Sequence, residues 1–258
     1  MRKTIWQAIR SFVAAALILC LASCGAVEPL GVISAADKEL DSGAYTVKTK
    51  VDFTSGDTEL ASAISELSNE SVMVVVGKDN FKAKLTAVCG NDKLESTYIA
   101  LDGILYLENR LENDKGVFTT KVKAPLTDAE KNKAAVALGD GAVIDFTDFS
   151  TLGVTGGLGS KTVTATEIKD EALDSLVSLM RGKLSGLNAT VAIKDVELTA
   201  KITGVRYDTV TLVCAYVITV GSDVYTVRMT RTSTYTYTAE EGVVAPLDAS
   251  EYTEAPLS

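Results

Sequence analysis

Alternation of apolar and polar residues dominates the chain. Tyr45, Val47, Val51 and Phe53 alternate with Thr46, Lys48, Lys50 and Asp52, the period of two that marks a half-buried strand. Val72 to Val76 is a second run, a Gly77-Lys78-Asp79-Asn80 turn follows, and Phe81 to Val88 alternates with Lys82 and Lys84. Glu95 to Leu101 and Ile104 to Leu107 flank Asp102-Gly103. That dipeptide predicts a two-residue hairpin, because both residues tolerate the positive φ of a type I′ turn. Val117 to Val122 adds a strand, and runs over 189–202, 208–220 and 223–237 close the series.

Helical spacing interrupts this pattern in four places. Ser34 to Leu40 predicts a short helix ending near Gly43, and 58–68 an amphipathic one through Leu60, Ile64 and Leu67. Thr127-Asp128-Ala129-Glu130 is a capping box, with Gly139 as a stop. Asp170 can cap a helix carrying Leu173, Leu176, Val177, Met180 and Leu184 on one face. Asp140 to Lys161, with its glycine-rich core, reads as loop. The expected class is α+β, a large antiparallel sheet of about nine to eleven strands with two to four helices; a sheet that wide must curl or split.

The first two dozen residues follow another logic. Arg2, Lys3 and Arg10 precede any acidic residue, and Phe12 to Ala22 is uninterrupted apolar sequence. That run is about half of what a membrane-spanning helix needs and has the polarity of an export signal. It ends in Leu21-Ala22-Ser23-Cys24, which resembles the bacterial lipobox, where the thiol is lipidated and the chain is cut before the cysteine. The alternative is an ordinary secretory signal with a chance cysteine. The expected organisation is a signal peptide over 1–23, a lipidated N terminus and tether over 24–34 with Pro29 and Gly31, one domain over 35–252 and a tail over 253–258. Its expected location is extracytoplasmic, anchored to a membrane through Cys24. Two acyl chains hold stably where one does not.

Charge and composition narrow the chemistry. Removing residues 1–23 leaves 22 basic against 34 acidic residues, a net charge near −12, which repels nucleic acid and anionic headgroups. Histidine is absent, so no Ser-His-Asp or Cys-His nucleophile and no His-bearing zinc site can form. No catalytic residue, metal ligand or cofactor site is identified; a hydrolase built only on carboxylates is the one enzyme class left open, and no enzyme is expected. Cys89 and Cys214 remain beside Cys24; an exported pair permits one disulfide, and each also suits a buried position.

Two motifs fail on detail. Gly153 to Thr162 invites a phosphate-loop reading, but a serine separates Gly159 from Lys161, and Thr162 to Thr166 reads as strand where that loop needs a helix. Asp140, Asp145 and Asp148 lack the register of an EF-hand. Val210 to Val220 is more suggestive, being apolar on both faces: Val210, Leu212, Cys214, Tyr216 and Ile218 on one, Val213, Ala215 and Val217 on the other. A central strand covered on both sides explains this, as does a strand with one face on an apolar cavity.

The lipobox, the meander carrying Tyr98-Ile99-Ala100-Leu101-Asp102-Gly103-Ile104-Leu105-Tyr106, the inserted helices, the three closing strands and a terminal Ala245-Pro246-Leu247-Asp248-Ala249 together resemble the LolA-like lipoprotein-carrier fold, and within it the LppX/LprG-type lipid carriers. The resemblance implies a curved, unclosed half-barrel with helices across its mouth and an apolar cavity for acyl chains. On this sequence it makes Val47, Val51, Phe53, Phe81, Leu85, Leu173 and Leu176 candidate cavity lining, with Leu212 and Tyr216 added from the two-faced strand and 153–160 as a mouth loop. The implied partners are the membrane, through Cys24, and a lipid or other apolar ligand. A structural or protein-interaction lipoprotein with no ligand cavity is the alternative.

Overall fold

A computed structural model describes residues 28–57, 61, 64, 68–77, 80–89, 91–129, 144–157, 159–184, 188–237 and 243–255. The signal segment, Cys24, most of the 58–68 helix and all but the first turn of the helix expected after Thr127 lie outside them.

Twelve strands form one open sheet in the order β12-β6-β5-β4-β3-β2-β1-β11-β10-β9-β8-β7. One short parallel contact breaks an otherwise antiparallel pattern: β12 (Thr253–Glu254) lies parallel to β6. The strand β1 (Tyr45–Ser55) sits at the centre, and the chain meanders outward through β2 (Asn69–Gly77), β3 (Asn80–Cys89), β4 (Asp92–Leu101) and β5 (Ile104–Asn113) to β6 (Gly116–Pro125). It then crosses to the far edge and meanders inward through β7 (Phe149–Gly156), β8 (Ser160–Ile168), β9 (Ala189–Thr203) and β10 (Arg206–Val220) to β11 (Asp223–Thr236), which pairs with β1. The strand count exceeds the expected nine to eleven because β7 and β12 escape the periodicity reading. Asp102 (φ 52°) and Gly103 (φ 78°) adopt the two positive φ values of the predicted turn.

Two helices are described. Helix α1 (Pro29–Ser42) begins well before Ser34, with proline in its first turn, where the missing N–H costs nothing. The segment expected as a ten-residue tether is therefore mostly helix. Its Val32, Ile33 and Ala36 are buried, and it packs on β7, β8 and β10. Helix α2 (Asp170–Lys183) packs on β9 through Ala172, Leu176 and Met180. Lys169 takes the cap position expected of Asp170, which instead falls in the first turn with Glu171, where carboxylates suit the helix dipole.

The glycine-rich segment is corrected from loop to hairpin. Gly153 to Gly156 belong to β7, and Thr151 to Gly156 pair with Thr166 to Lys161. Leu152 and Val154 carry the alternation on this strand, and Gly156 at φ 111° makes the bend, where a Cβ would collide with the Ser160 carbonyl oxygen. The expected mouth loop is thus an edge hairpin.

Candidate functional site: the inner face of the sheet

Directly opposed residues in an antiparallel sheet point to the same side, so the register fixes which side chains share a face. One row runs Val122, Leu107, Tyr98, Ala83, Met73, Val47, Tyr235, and another Phe118, Leu111, Leu94, Ala87, Asn69, Val51, Arg231, Leu212, Leu198, Ala165, Leu152. This inner face is the one α1 and α2 cover. It is apolar nearly throughout, but a belt of hydroxyls crosses its middle. Ser96, Ser71, Thr49 and Ser233 are all buried there, with Thr49 Oγ1 and Ser233 Oγ 2.9 Å apart.

The buried apolar residues of this face form two clusters. The larger joins both helices to β7–β11 and β1: Val51, Phe53, Leu176, Leu212 and Tyr216 come together here with Leu198, Ile202 and Met229. The smaller holds Ala83, Leu85, Tyr98, Ala100, Leu105 and Leu107, with Met73, Phe81, Val122 and Leu126 against it, and contains no residue of either helix. Val47 is buried on the same face. Leu173 is half-buried on α2 and belongs to neither cluster.

Exposure distinguishes packed core from cavity wall, since a side chain bordering space large enough for water keeps some accessible area. Leu176 and Tyr216 keep none and Leu212 keeps 1%. These three expected lining residues are close-packed core. The two-faced strand resolves likewise: its even residues are core, while Val213, Ala215 and Val217 face outward, half-buried beside Thr230, Arg228 and Thr226 of β11.

Open space lies elsewhere. A groove of about 570 Å³ at the end of β4–β6 is lined by Gly103, Ile104, Lys123, Ala124, Pro125, Thr127, Glu254 and Ala255. None of these residues was among the expected cavity lining, because the groove needs β12 beside β6, a pairing across some 130 residues. Only Pro125, which ends β6, and the Asp102-Gly103 turn were visible signals. A second depression of about 490 Å³ lies on the outer face, ringed by the charged residues Lys50, Asp52, Glu70 and Lys84.

Ionisable groups near the inner face are quiet. Burial pushes the Cys214 thiol up to about 12 and the Tyr216 phenol far above its ordinary range, so neither ionises near neutral pH. The Tyr216 hydroxyl has no hydrogen-bond partner among the described residues, with only the weakly polar Cys214 two residues before it on the same face. Cys214 is a free thiol, and β2, β1 and β11 stand between its strand and that of Cys89; the disulfide allowed by the sequence is not formed. Among the described residues no group of three or more His, Cys, Asp or Glu side chains could hold a metal ion, and no helix is long and apolar enough to cross a membrane.

The C-terminal segment is fastened to the outer face of β5 and β6. Lys121 pairs with Asp248 and, at 2.8 Å, with Glu251. Tyr252 stands edge-on to Tyr106, ring centroids 5.3 Å apart. These contacts hold β12 against β6 and so form one wall of the groove. Compared with models of protein families the chain matches none, and it has no significant match among curated proteins.

Proposed function

We propose that the protein is an exported bacterial lipoprotein, held on a membrane by lipid on Cys24, whose domain binds lipid or another apolar molecule on the β2–β6 half of a half-barrel. One observation carries this reading. Neither described helix contributes to the smaller inner-face cluster, both belonging to the one on β7–β11 and β1, and the β2–β6 side of the sheet ends in a mostly apolar groove of about 570 Å³, within the size range of small-molecule sites. Phe81 and Leu85 stay candidate lining on the inner face of this half; the groove at its end is lined by Ala124, which shares that face, and by Ile104 and Pro125, which have the opposite parity. Because α1 starts at Pro29, residues 25–28 alone would separate the lipid from the fold, a reach of at most about 14 Å. The domain would then sit close to the bilayer.

Native mass spectrometry and lipid extraction of the chain lacking residues 1–24 tests the binding half of the proposal. The expected result is a co-purifying apolar ligand that is lost when Ala124→Trp fills the groove. A ligand-free protein that also takes up no fluorescent fatty acid would refute it. Cys24→Ala tests the anchor: the variant should leave washed membranes with its fold intact, and its retention there would show that the tether reading is wrong. A second reading, an interaction lipoprotein without a ligand, draws on the solid packing of the β7–β11 half.

A further inference from the structure

The two edges of the sheet are treated differently. The β6 edge carries Lys121 and Lys123 and is capped by β12, devices that blunt an edge against pairing. The β7 edge has none. Its eight residues, Phe-Ser-Thr-Leu-Gly-Val-Thr-Gly, include no charge and no proline, no strand pairs with its outer side among the described residues, and Ser150, Thr151, Gly153 and Thr155 are exposed. Unpaired N–H and C=O groups on such a strand form a template for another.

We infer that β7 is the contact through which two copies of this chain join, antiparallel, about a two-fold axis at Gly153. The sequence of the edge selects this occupant. Thr151-Leu152-Gly153-Val154-Thr155 is near-symmetric about its glycine, so self-pairing sets Leu152 beside the partner's Val154 and Thr151 beside the partner's Thr155. A two-fold axis perpendicular to the sheet keeps the faces in register. Leu152 and Val154, half-buried against the large cluster, thereby continue one apolar inner face into the other. Two acidic molecules, each carrying net charge −9 as the full chain, meet most easily where neither edge bears charge. A carboxylate bonded to this strand is that of Glu167, which accepts hydrogen bonds from Ser150 and Thr151. Its copies approach the axis from opposite ends. Thr151 and its symmetry mate are offset by four residues, about 14 Å along the strands and beyond the Debye length of about 8 Å. A strand-only contact falls at the small end of interfaces, so the dimer is a weak one and calls for a trapping experiment.

Gly153 makes that trap. A Cβ at Gly153 meets nothing within 4 Å, and paired Cα atoms at about 4.5–5.5 Å match disulfide geometry. The full chain carrying Gly153→Cys should cross-link under mild oxidation at least about tenfold faster than Thr155→Cys, whose thiols are offset along the strands. The untreated sequence, oxidised in parallel, sets the background from its own cysteines. Equal rates for the two variants, or a Gly153→Cys band no stronger than background, would overturn the pairing. Light scattering over rising concentration gives an independent reading. The unaltered chain should gain mass while Gly153→Lys, which opposes two ammonium groups at the axis, stays monomeric with an unchanged melting temperature. An unaltered chain that is monomeric throughout, or a Gly153→Lys variant that associates as well, would equally overturn it.

Discussion

Leu176→Ala separates packed core from cavity wall, and its cost can be worked from the structure. Leu176 has no exposed surface and lies in the cluster that joins α2 to the sheet. Truncation removes Cγ and both Cδ atoms, roughly 2.4 kcal/mol of lost transfer free energy at about 0.8 kcal/mol per carbon. Surrounding side chains relax only in part. A residual void of about 50 Å³ adds about 1.2 kcal/mol at roughly 24 cal/mol per Å³. The expected loss is therefore about 3–4 kcal/mol, a fall in melting temperature of roughly 7–14 °C for a domain of this size. Urea unfolding followed by circular dichroism measures it, with the slope required to match between variant and parent. Leu173→Ala, truncating a half-buried side chain on the same helix, provides the contrast and should cost about 1 kcal/mol or less. A Leu176→Ala loss below about 1 kcal/mol would refute the argument: the side chain would then border a void, as the resemblance to lipid carriers implied.

Two further predictions concern buried polar groups. The Cys214 thiol, free, buried and pushed up to about 12, should resist maleimide labelling at pH 8 and react as soon as urea unfolds the domain; mass spectrometry of pulse-labelled protein reads this, and prompt labelling of the folded form would show that the core is open. Tyr207, whose hydroxyl donates to Asp37 Oδ1 at 2.8 Å, gives a pH-dependent outcome. Burial holds the Asp37 carboxyl above its ordinary 3.8 and the Tyr207 bond draws it back down. A raised carboxyl binds protons more tightly in the folded state, so its stabilising share is full below pH 3.8 and is lost as pH rises through the folded value. Tyr207→Phe widens that window, so the variant should lose about 1 kcal/mol relative to its parent at pH 7 and less at pH 3.5. An equal loss at both pH values would contradict it.

Much of the sheet could be read from the chain because strand signals are local. Asp102-Gly103 specifies its own turn, and the alternation in β1 and β3 shows which residues share a face before any partner strand is known. Where the reading failed, the missing information was not local. Glycine has no side chain to alternate, so Gly153 and Gly156 hid β7 until β8 offered an edge to pair with. Pro29 suggested a tether because proline breaks helices in their interior, whereas at the first turn it starts one; Val32, Ile33, Ala36 and Leu40 already carried the helical spacing. Cys89 and Cys214 each suit an inward position, but only strand order reveals that three strands stand between theirs. The candidate lining divided for the same reason. Parity places Leu85 and Leu212 on the inner face alike, and nothing in either segment says which half of that face the helices cover.

The topology bears on where exchange of an apolar ligand would be tolerated. The chain enters at the centre of the sheet, so its two meanders meet only along β1–β11 and end at opposite edges. The row of hydroxyls crosses that seam with Thr49 and Ser233 hydrogen-bonded to each other, which satisfies this buried pair but adds little apolar contact there. Each half therefore draws its cohesion from its own cluster, the arrangement in which one part of a fold can loosen without the other. The β7–β11 half contains the long strands β9, β10 and β11 and both helices; opening it would expose side chains that are now wholly buried. In the β2–β6 half, neighbouring strands are joined by short turns, and the groove wall is held by the Lys121 clamp and a two-residue strand. Ligand exchange on the proposed reading therefore belongs at the β12 side of the sheet, where the fewest contacts must be broken to admit an acyl chain.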